Sequence, residues 1–438
     1  MYFISNRRDQ LINGTYKLSQ LLPERIKNQP LCLDVLPNIV SFIPIITNEN
    51  IRNLVNEYFL KDTPVDNVSI QKKTKIIKQH GYINDWIVSQ VTDMSNLFQD
   101  FVNFNQPLND WDVSNVTNME GMFNKAKSFN QSINNWNVSN VRNMNYMFQY
   151  SLYFNQPLNN WNVSNVTSMR NMFYCAERFN QNIDKWNVSK VTDMSGLFNK
   201  ATSFNQSIKD WNVSQVTNMN HMFESAKSFK QSLNNWNVSR VTDMECMFWE
   251  AKYFNESLDN WNVSNVKNMR SMFASAESFN QSISTWDVSS VTSMEYMFDH
   301  ARSFKQPLHN WNVAQVTTMD HMFAFSKYFD NKLLITWKIT NNVIIEGMFD
   351  GVNSFDHNYG IWYEIRQNKY NSYNKSYLQA YNKARKKGYK PGDAMNIASI
   401  EFPNSNVTKY YPTKEILYPE DYLKSLLIIQ NHTDPSLV

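Results

Sequence analysis

The chain has little of what cross-links or punctuates a small domain. In 438 residues there are three cysteines, Cys32, Cys175 and Cys246. An odd count at wide spacing excludes a disulfide framework and suits a reducing compartment. Glycine numbers only 9, and no P-loop, Rossmann fingerprint, HExxH or GxSxG pattern occurs, so the common phosphate, dinucleotide, zinc-protease and serine-hydrolase sites have no motif here. Long apolar runs are also missing. The longest, VLPNIVSFIPII at 35–46, is broken by prolines and falls short of a membrane-spanning length. The opening MYFISNRRDQLINGTYKLSQ has neither the apolar core nor the cleavage pattern of a signal peptide. The expected location is therefore intracellular, in a host cytoplasm if the chain is viral, with a place in a virion also open.

Charge of one sign is lacking as well. The formal net charge is +3, so no strong field advertises nucleic acid, and no nucleic-acid partner is expected. The two ends, 1–85 and 356–438, each carry 11 basic and 8 acidic residues, and the middle carries 20 and 23. That mild asymmetry suits a solvated surface better than a binding tail.

What is present is a repeat. Tryptophan falls at 86, 111, 136, 161, 186, 211, 236, 261, 286 and 311, every interval being 25, and Trp337 follows 26 later. With each Trp as position 0, the unit reads W-N-V-S-x-V-T-x-M-x-x-M-F-x-x-A-x-x-F-N-Q-x-L-x-x. A period of this size marks stacked repeats. Trp and the Val at position 2 share one side of an extended strand. Apolar residues at positions 5, 8, 11, 12, 15 and 18 predict a short amphipathic helix. The Thr at position 6 is its expected N-cap, and Thr117/Glu120, Thr242/Glu245 and Thr292/Glu295 have the spacing of capping boxes. The expected fold class is thus an α/β repeat solenoid with one parallel strand and one short helix per 25-residue coil. Stacking would put the Gln at position 20 into a hydrogen-bonded column that Glu256 interrupts. The Asn at position 19, replaced by Lys230 and Lys305, would face solvent.

These residues resemble the BspA-like leucine-rich repeat family, found in bacterial surface lipoproteins and in proteins of giant DNA viruses and some protists. The resemblance covers about 86–355, and 48–86 is similar to the segment that precedes the first repeat. It implies a leucine-rich-repeat-like solenoid, protein binding or adhesion, and no catalysis or cofactor. The lipoprotein members carry an export signal and a lipid-attachment Cys near their start, and this sequence shows neither there. The expected organisation is a helical segment at 1–47, an N-terminal cap at 48–85, about 11 repeats at 86–355 and a helical cap or tail at 356–438. Within 1–47, LDVLPNIVSFIPI faintly resembles the opening of an F-box, and an ordinary capping helix is the favoured reading of it. In 356–438, NKSYLQAYNKARKKGYKPGDAMNIAS predicts two helices joined at Gly388.

The strand face is nearly constant, with Asn or Asp at position 1 and Ser at position 3. It leaves recognition to the helix face, where positions 9, 10, 13, 14, 16 and 17 vary. There Tyr146, Tyr150 and Tyr153 follow i, i+4, i+7 spacing and Tyr174 falls on the next coil, a stripe of the kind that anchors protein interfaces. Trp249 and Tyr253, with Cys246, form a second patch. The expected partner is a protein. No metal site is expected. Asp299, His300, Asp320 and His321 come nearest to one but read as mixed polar surface. His221 and His321 share a position but lie four coils apart, roughly 19 Å at the spacing of paired strands. Cys175 and Cys246 are about 14 Å apart on the same scale, too far for a disulfide. The Asn-Val-Ser triplets at Asn137, Asn162, Asn187, Asn212, Asn237 and Asn262 read as products of the repeat rather than glycan sites. The function expected is a non-enzymatic protein-interaction scaffold. The alternatives are a surface adhesin or virion structural protein, and an F-box-type adaptor acting through 1–47.

Overall fold

The computed structural model describes residues 45–60, 66–334, most of 336–353, and Lys383 and Lys386. The chain divides into two units, Met1–Asp356 and His357–Val438. The F-box-like segment at 1–47 lies almost wholly outside the described residues. So does 356–438, apart from the two lysines, which are helical and exposed.

Two helices precede the repeats. Helix α1 (Ile51–Phe59) buries Ile51, Val55 and Tyr58, one face at i, i+4, i+7 spacing. Helix α2 (Asn67–His80) begins at a capping box in which the Asp66 carboxylate accepts from the Ser69 amide at 2.8 Å and the Ser69 hydroxyl accepts from the Asp66 amide at 3.0 Å. A 3-10 turn, Ile83–Asp85, leads into Trp86. Helix α1 lies on the first coil. Its Phe59 ring meets Phe98, Phe101 and Phe104 edge-on at 6.4, 5.5 and 5.3 Å, and Tyr58 meets Trp86 at 5.6 Å.

Every full coil turns the same side chains inward. In the sixth, Trp211, Val213, Val216, Met219, Met222, Phe223, Ala226, Phe229 and Leu233 are at most 3% exposed. Burying each larger side chain is worth about 1.5–3 kcal/mol. The rings also stack in register. Phe223 lies 4.2 Å from Phe229 in its own coil and 5.6 Å from Phe248 in the next, within the range where aromatic pairs add to area burial. The indole has a second role. Trp211 Nε1 donates to the Ile183 carbonyl at 3.1 Å, and that carbonyl also accepts the Trp186 amide at 3.1 Å. The same double acceptor recurs down the column, which explains why Trp rather than Phe holds position 0.

The second half of each coil differs from the expected helix. Among the described residues of the repeats there is no α-helix, and successive coils meet in ten parallel single-residue bridges at position 7, from Asp93↔Asn118 to Thr318↔Ile344. Amides at positions 8, 10, 12 and 14 donate to the next coil. In the first coil Met94, Asn96, Phe98 and Asp100 donate to the carbonyls of Asn118, Glu120, Met122 and Asn124 at 2.7–2.9 Å. The intervening amides fold back by three residues, as in Leu97 to Met94 and Gln99 to Asn96. This alternation of ladder and turn needs a left-handed residue at positions 10 and 14, and φ there is 52–67° throughout. Such a conformation costs a non-glycine residue about 1–2 kcal/mol, offset by the hydrogen bond that its amide makes to the next coil.

The expected capping boxes do not form. The Thr117 hydroxyl donates to the Thr92 carbonyl one coil back at 3.3 Å, and Glu120 and Glu245 accept from Asn143 and Asn268 at 2.9 and 3.1 Å. The turn is opened instead by position 7, where Asn118 Oδ1 accepts the Glu120 amide at 3.1 Å, an Asx turn. Nor is position 0 to 2 a paired strand, since no bridge falls there. Asn212 Oδ1 closes that segment on the Ser214 amide at 3.2 Å.

The Gln column is real, and its acceptor is the Asn column. Asn180 Oδ1 accepts both the Asn205 amide and Gln206 Nε2 from the next coil, at 2.9 and 3.0 Å. Where Lys230 and Lys305 remove that oxygen, the next coil places Glu256 and Asn331 in the Gln position. At Lys230 and Glu256 the acceptor and the donor are lost together.

The carbonyls at positions 7, 9, 11 and 13 of each later coil accept from the coil before it, and on the corresponding edge of the first coil the N-terminal segment supplies partners. The Arg52 guanidinium donates to the Ser95 carbonyl and hydroxyl and lies 3.6 Å from Asp93. Asn48 Oδ1 accepts the Thr92 and Asp93 amides at 2.9 and 3.1 Å, replacing the carbonyl of an absent preceding coil.

Candidate functional site

With no α-helix among the described residues of the coils, the four tyrosines do not form a helical stripe. Tyr146 and Tyr150 stand at the two left-handed positions of the third coil, with φ of 58° and 57°. Tyr150 pairs across coils with Tyr174, the rings edge-on at 5.1 Å. The ladder sets this contact, because the Tyr150 amide donates to the Tyr174 carbonyl at 2.8 Å. A hydrogen bond to Tyr174, with a smaller effect of burial, holds the Tyr150 phenol above its ordinary pKa. Tyr146 and Tyr153 go to separate cations. Arg170 lies 5.9 Å over Tyr146 and Arg178 4.5 Å over Tyr153, while Lys200 lies 5.7 Å over Tyr174. The result is a patch of four aromatic rings and three cations over coils three to five. Each exposed cation–π contact contributes about 0.5–1 kcal/mol.

The second patch is also at the surface, with Trp249 38% and Tyr253 57% exposed. Tyr253 shares position 17 with Tyr153 and Tyr328. All three are exposed and carry a cation over the ring, Lys252 at 5.8 Å and Lys327 at 5.3 Å in the last two cases.

Asp299, His300, Asp320 and His321 separate into local pairs. His300 Nδ1 lies 2.8 Å from Asp299 and His321 Nδ1 3.0 Å from Asp320. Their rings stack on Phe325 and Tyr296. Burial raises both carboxyls above the usual range, against the pull of the histidines.

Donor atoms converge elsewhere. Among the described residues, the ligand atoms of His221, Glu245 and Cys246 all lie within 4.8 Å of one another. His221 and Cys246 both occupy the left-handed position 10, in the sixth and seventh coils, with φ of 57° and 55°. Their backbones are fixed by the ladder, His221 to the Glu245 carbonyl at 2.7 Å and Cys246 to the Arg270 carbonyl at 2.8 Å. His221 Nδ1 is 2.6 Å from the buried Glu224 carboxylate, which leaves Nε2 for the sulfur. Glu224 is itself held by Asn199 Nδ2 at 2.9 Å, and Glu245 by Asn268 Nδ2 at 3.1 Å. The Cys246 sulfur first and the Glu224 carboxylate second favour the imidazolium against the penalty of burial, and push the His221 pKa up to about 10. No spacing motif marks this pair in the sequence, and its signal is a shared position in neighbouring coils. Cys175, at position 14 of the fourth coil, is buried and free, as is Cys246, and burial pushes its thiol up to about 11.

Among the described residues no helix is long and apolar enough to cross a membrane. A family model described as "Mycoplasma protein of unknown function, DUF285" matches the chain three times, at residues 68–186, 167–276 and 253–362. No curated protein matches it.

Proposed function

We propose, from the premise that the chain belongs to the family of tandem-repeat proteins described as DUF285, that it is a non-enzymatic protein-interaction scaffold built on a BspA-like repeat solenoid. One observation carries this reading. The frame of each coil is nearly invariant, while the left-handed and adjoining positions vary, and they gather the half-buried Tyr146, Tyr150 and Tyr174 and the exposed Tyr153 with Arg170, Arg178 and Lys200 over three coils. Aromatic and arginine side chains supply most of the anchoring energy of protein interfaces. A rigid backbone beneath them reduces the ordering cost of binding.

The test replaces Tyr146, Tyr150 and Tyr174 with Ser. A partner purified with the native chain from its source should fail to bind the variant in direct titration, while a Trp249→Ser/Tyr253→Ser control keeps it and the melting temperature moves by only a few degrees. Unchanged binding, or a large loss of stability, would assign the tyrosines to packing between coils. The second reading, a surface adhesin, draws on the exposure of Asn137, Asn162 and their counterparts. Intact mass of the native protein showing glycans at these positions would favour it.

A further inference from the structure

We propose that His221, Glu245 and Cys246 form a binding site for a single zinc-class divalent ion that joins the sixth and seventh coils. The donor set is one nitrogen, one oxygen and one sulfur, with ligand atoms within 4.8 Å of one another. Tetrahedral zinc takes such ligands at about 2.0–2.3 Å, which places donors roughly 3.3–3.8 Å apart. The cluster therefore closes by about an ångström. The partly exposed His221 and Glu245 side chains can supply that movement, while Cys246 is buried at 5% exposure. A sulfur with an imidazole selects zinc or a related transition ion over calcium or magnesium, which demand oxygen.

The surroundings suit a zinc site. Metal-bound histidine almost always gives its second nitrogen to a carboxylate, a backbone carbonyl or water, which fixes the ring and strengthens the ligand. His221 Nδ1 already has that partner in Glu224 at 2.6 Å, and Glu224 is buried and anchored by Asn199. Asn268 holds Glu245 in the same way. Three protein ligands leave the fourth position to water or to a donor from a partner.

The test titrates the full-length, metal-free protein with cobalt(II) and then displaces it with zinc(II). The expected result is one equivalent bound, with a thiolate-to-cobalt charge-transfer band that zinc abolishes. Cys246→Ser should remove the band, and His221→Ala should weaken cobalt binding at least about 10-fold. Glu224→Gln should weaken it about 10- to 100-fold through loss of the supporting carboxylate, with ligands intact. Cys175→Ser and Cys32→Ser should keep the band, and circular dichroism should show each variant folded as the parent. A band that survives Cys246→Ser, or that vanishes with Cys32 or Cys175, would overturn the site. So would the absence of saturable cobalt binding, which would leave the three residues a plain hydrogen-bonded network.

Discussion

Replacing Trp211 with Phe tests the central claim about the tryptophan column. The indole is 3% exposed, stacks on Trp186 at 6.3 Å and donates to the Ile183 carbonyl at 3.1 Å. Losing that bond costs about 1 kcal/mol, and the carbonyl keeps only the Trp186 amide. The smaller ring leaves a gap between Phe198 and the neighbouring indoles, and large-to-small values for a partial truncation add about 1–2 kcal/mol. The sum is roughly 2–3 kcal/mol. A long repeat array need not unfold in one step, so the readout is native-state amide exchange across coils five to seven. Exchange there should accelerate about 30- to 150-fold, since each 1.4 kcal/mol is tenfold. A sulfur isostere of tryptophan, which keeps the ring area and lacks the N–H, should account for about 1 kcal/mol of this. If the isostere behaves as wild type, or if Trp211→Phe changes exchange less than about threefold, the double-acceptor account of position 0 is wrong.

Three further outcomes follow from the columns. Lys230→Asn with Glu256→Gln restores both the acceptor and the donor of the position 19–20 ladder. The pair should stabilise by about 0.5–1.5 kcal/mol while each single change is near neutral, a coupling that a double-mutant cycle in urea would measure. Gly196→Ala places a Cβ 1.8 Å from Asn171 Oδ1 at a φ of +60°, and should lower stability by about 1–3 kcal/mol. Adding Asn171→Gly should return the part due to the clash. Cys175, whose thiol burial raises to about 11, stays protonated as pH rises through 8 and 9. Native protein should therefore leave it unmodified by iodoacetamide over that range, with labelling appearing in step with unfolding; rapid native labelling at pH 8 would contradict the burial.

The repeat period and the inward set were legible because each coil must present the same apolar residues to its neighbours. The expected helix does not form in the described coils, and the reason is visible in the letters. Apolar positions 5, 8, 11 and then 12, 15, 18 advance by threes, whereas a helix of 3.6 residues per turn mixes threes and fours. A strict three is the period of turns that close three residues back, as the Leu97-to-Met94 bond does. Gly121, Gly196 and Gly347 at position 10, and Gly351 at position 14, marked the left-handed sites that such a chain of turns needs. Sparse glycine hid the signal, because Asn, Asp, Tyr, Phe, His, Cys, Ser, Glu and Lys fill the remaining left-handed sites.

That expectation of a helix also decided which side chains were grouped. On a helix, neighbours are found along the chain, so Tyr146, Tyr150 and Tyr153 were read together. In this chain the ladder runs from an amide at position 10 or 14 to the carbonyl at position 9 or 13 of the next coil, so neighbours are found across coils. Reading the columns pairs Tyr150 with Tyr174, His300 with Phe325 and Tyr296 with His321, each of which the structure brings into ring contact. The same rule sets His221 against Glu245 and Cys246, three residues separated by 24 and 25 positions in sequence. The tight ligand pairs of metal-site motifs such as CxxC and HExxH describe ligands held by one turn or one helix, and they do not find this arrangement. In a repeat of fixed length the repeat period itself becomes the ligand spacing, so chemistry at this surface is encoded in the differences between consecutive copies.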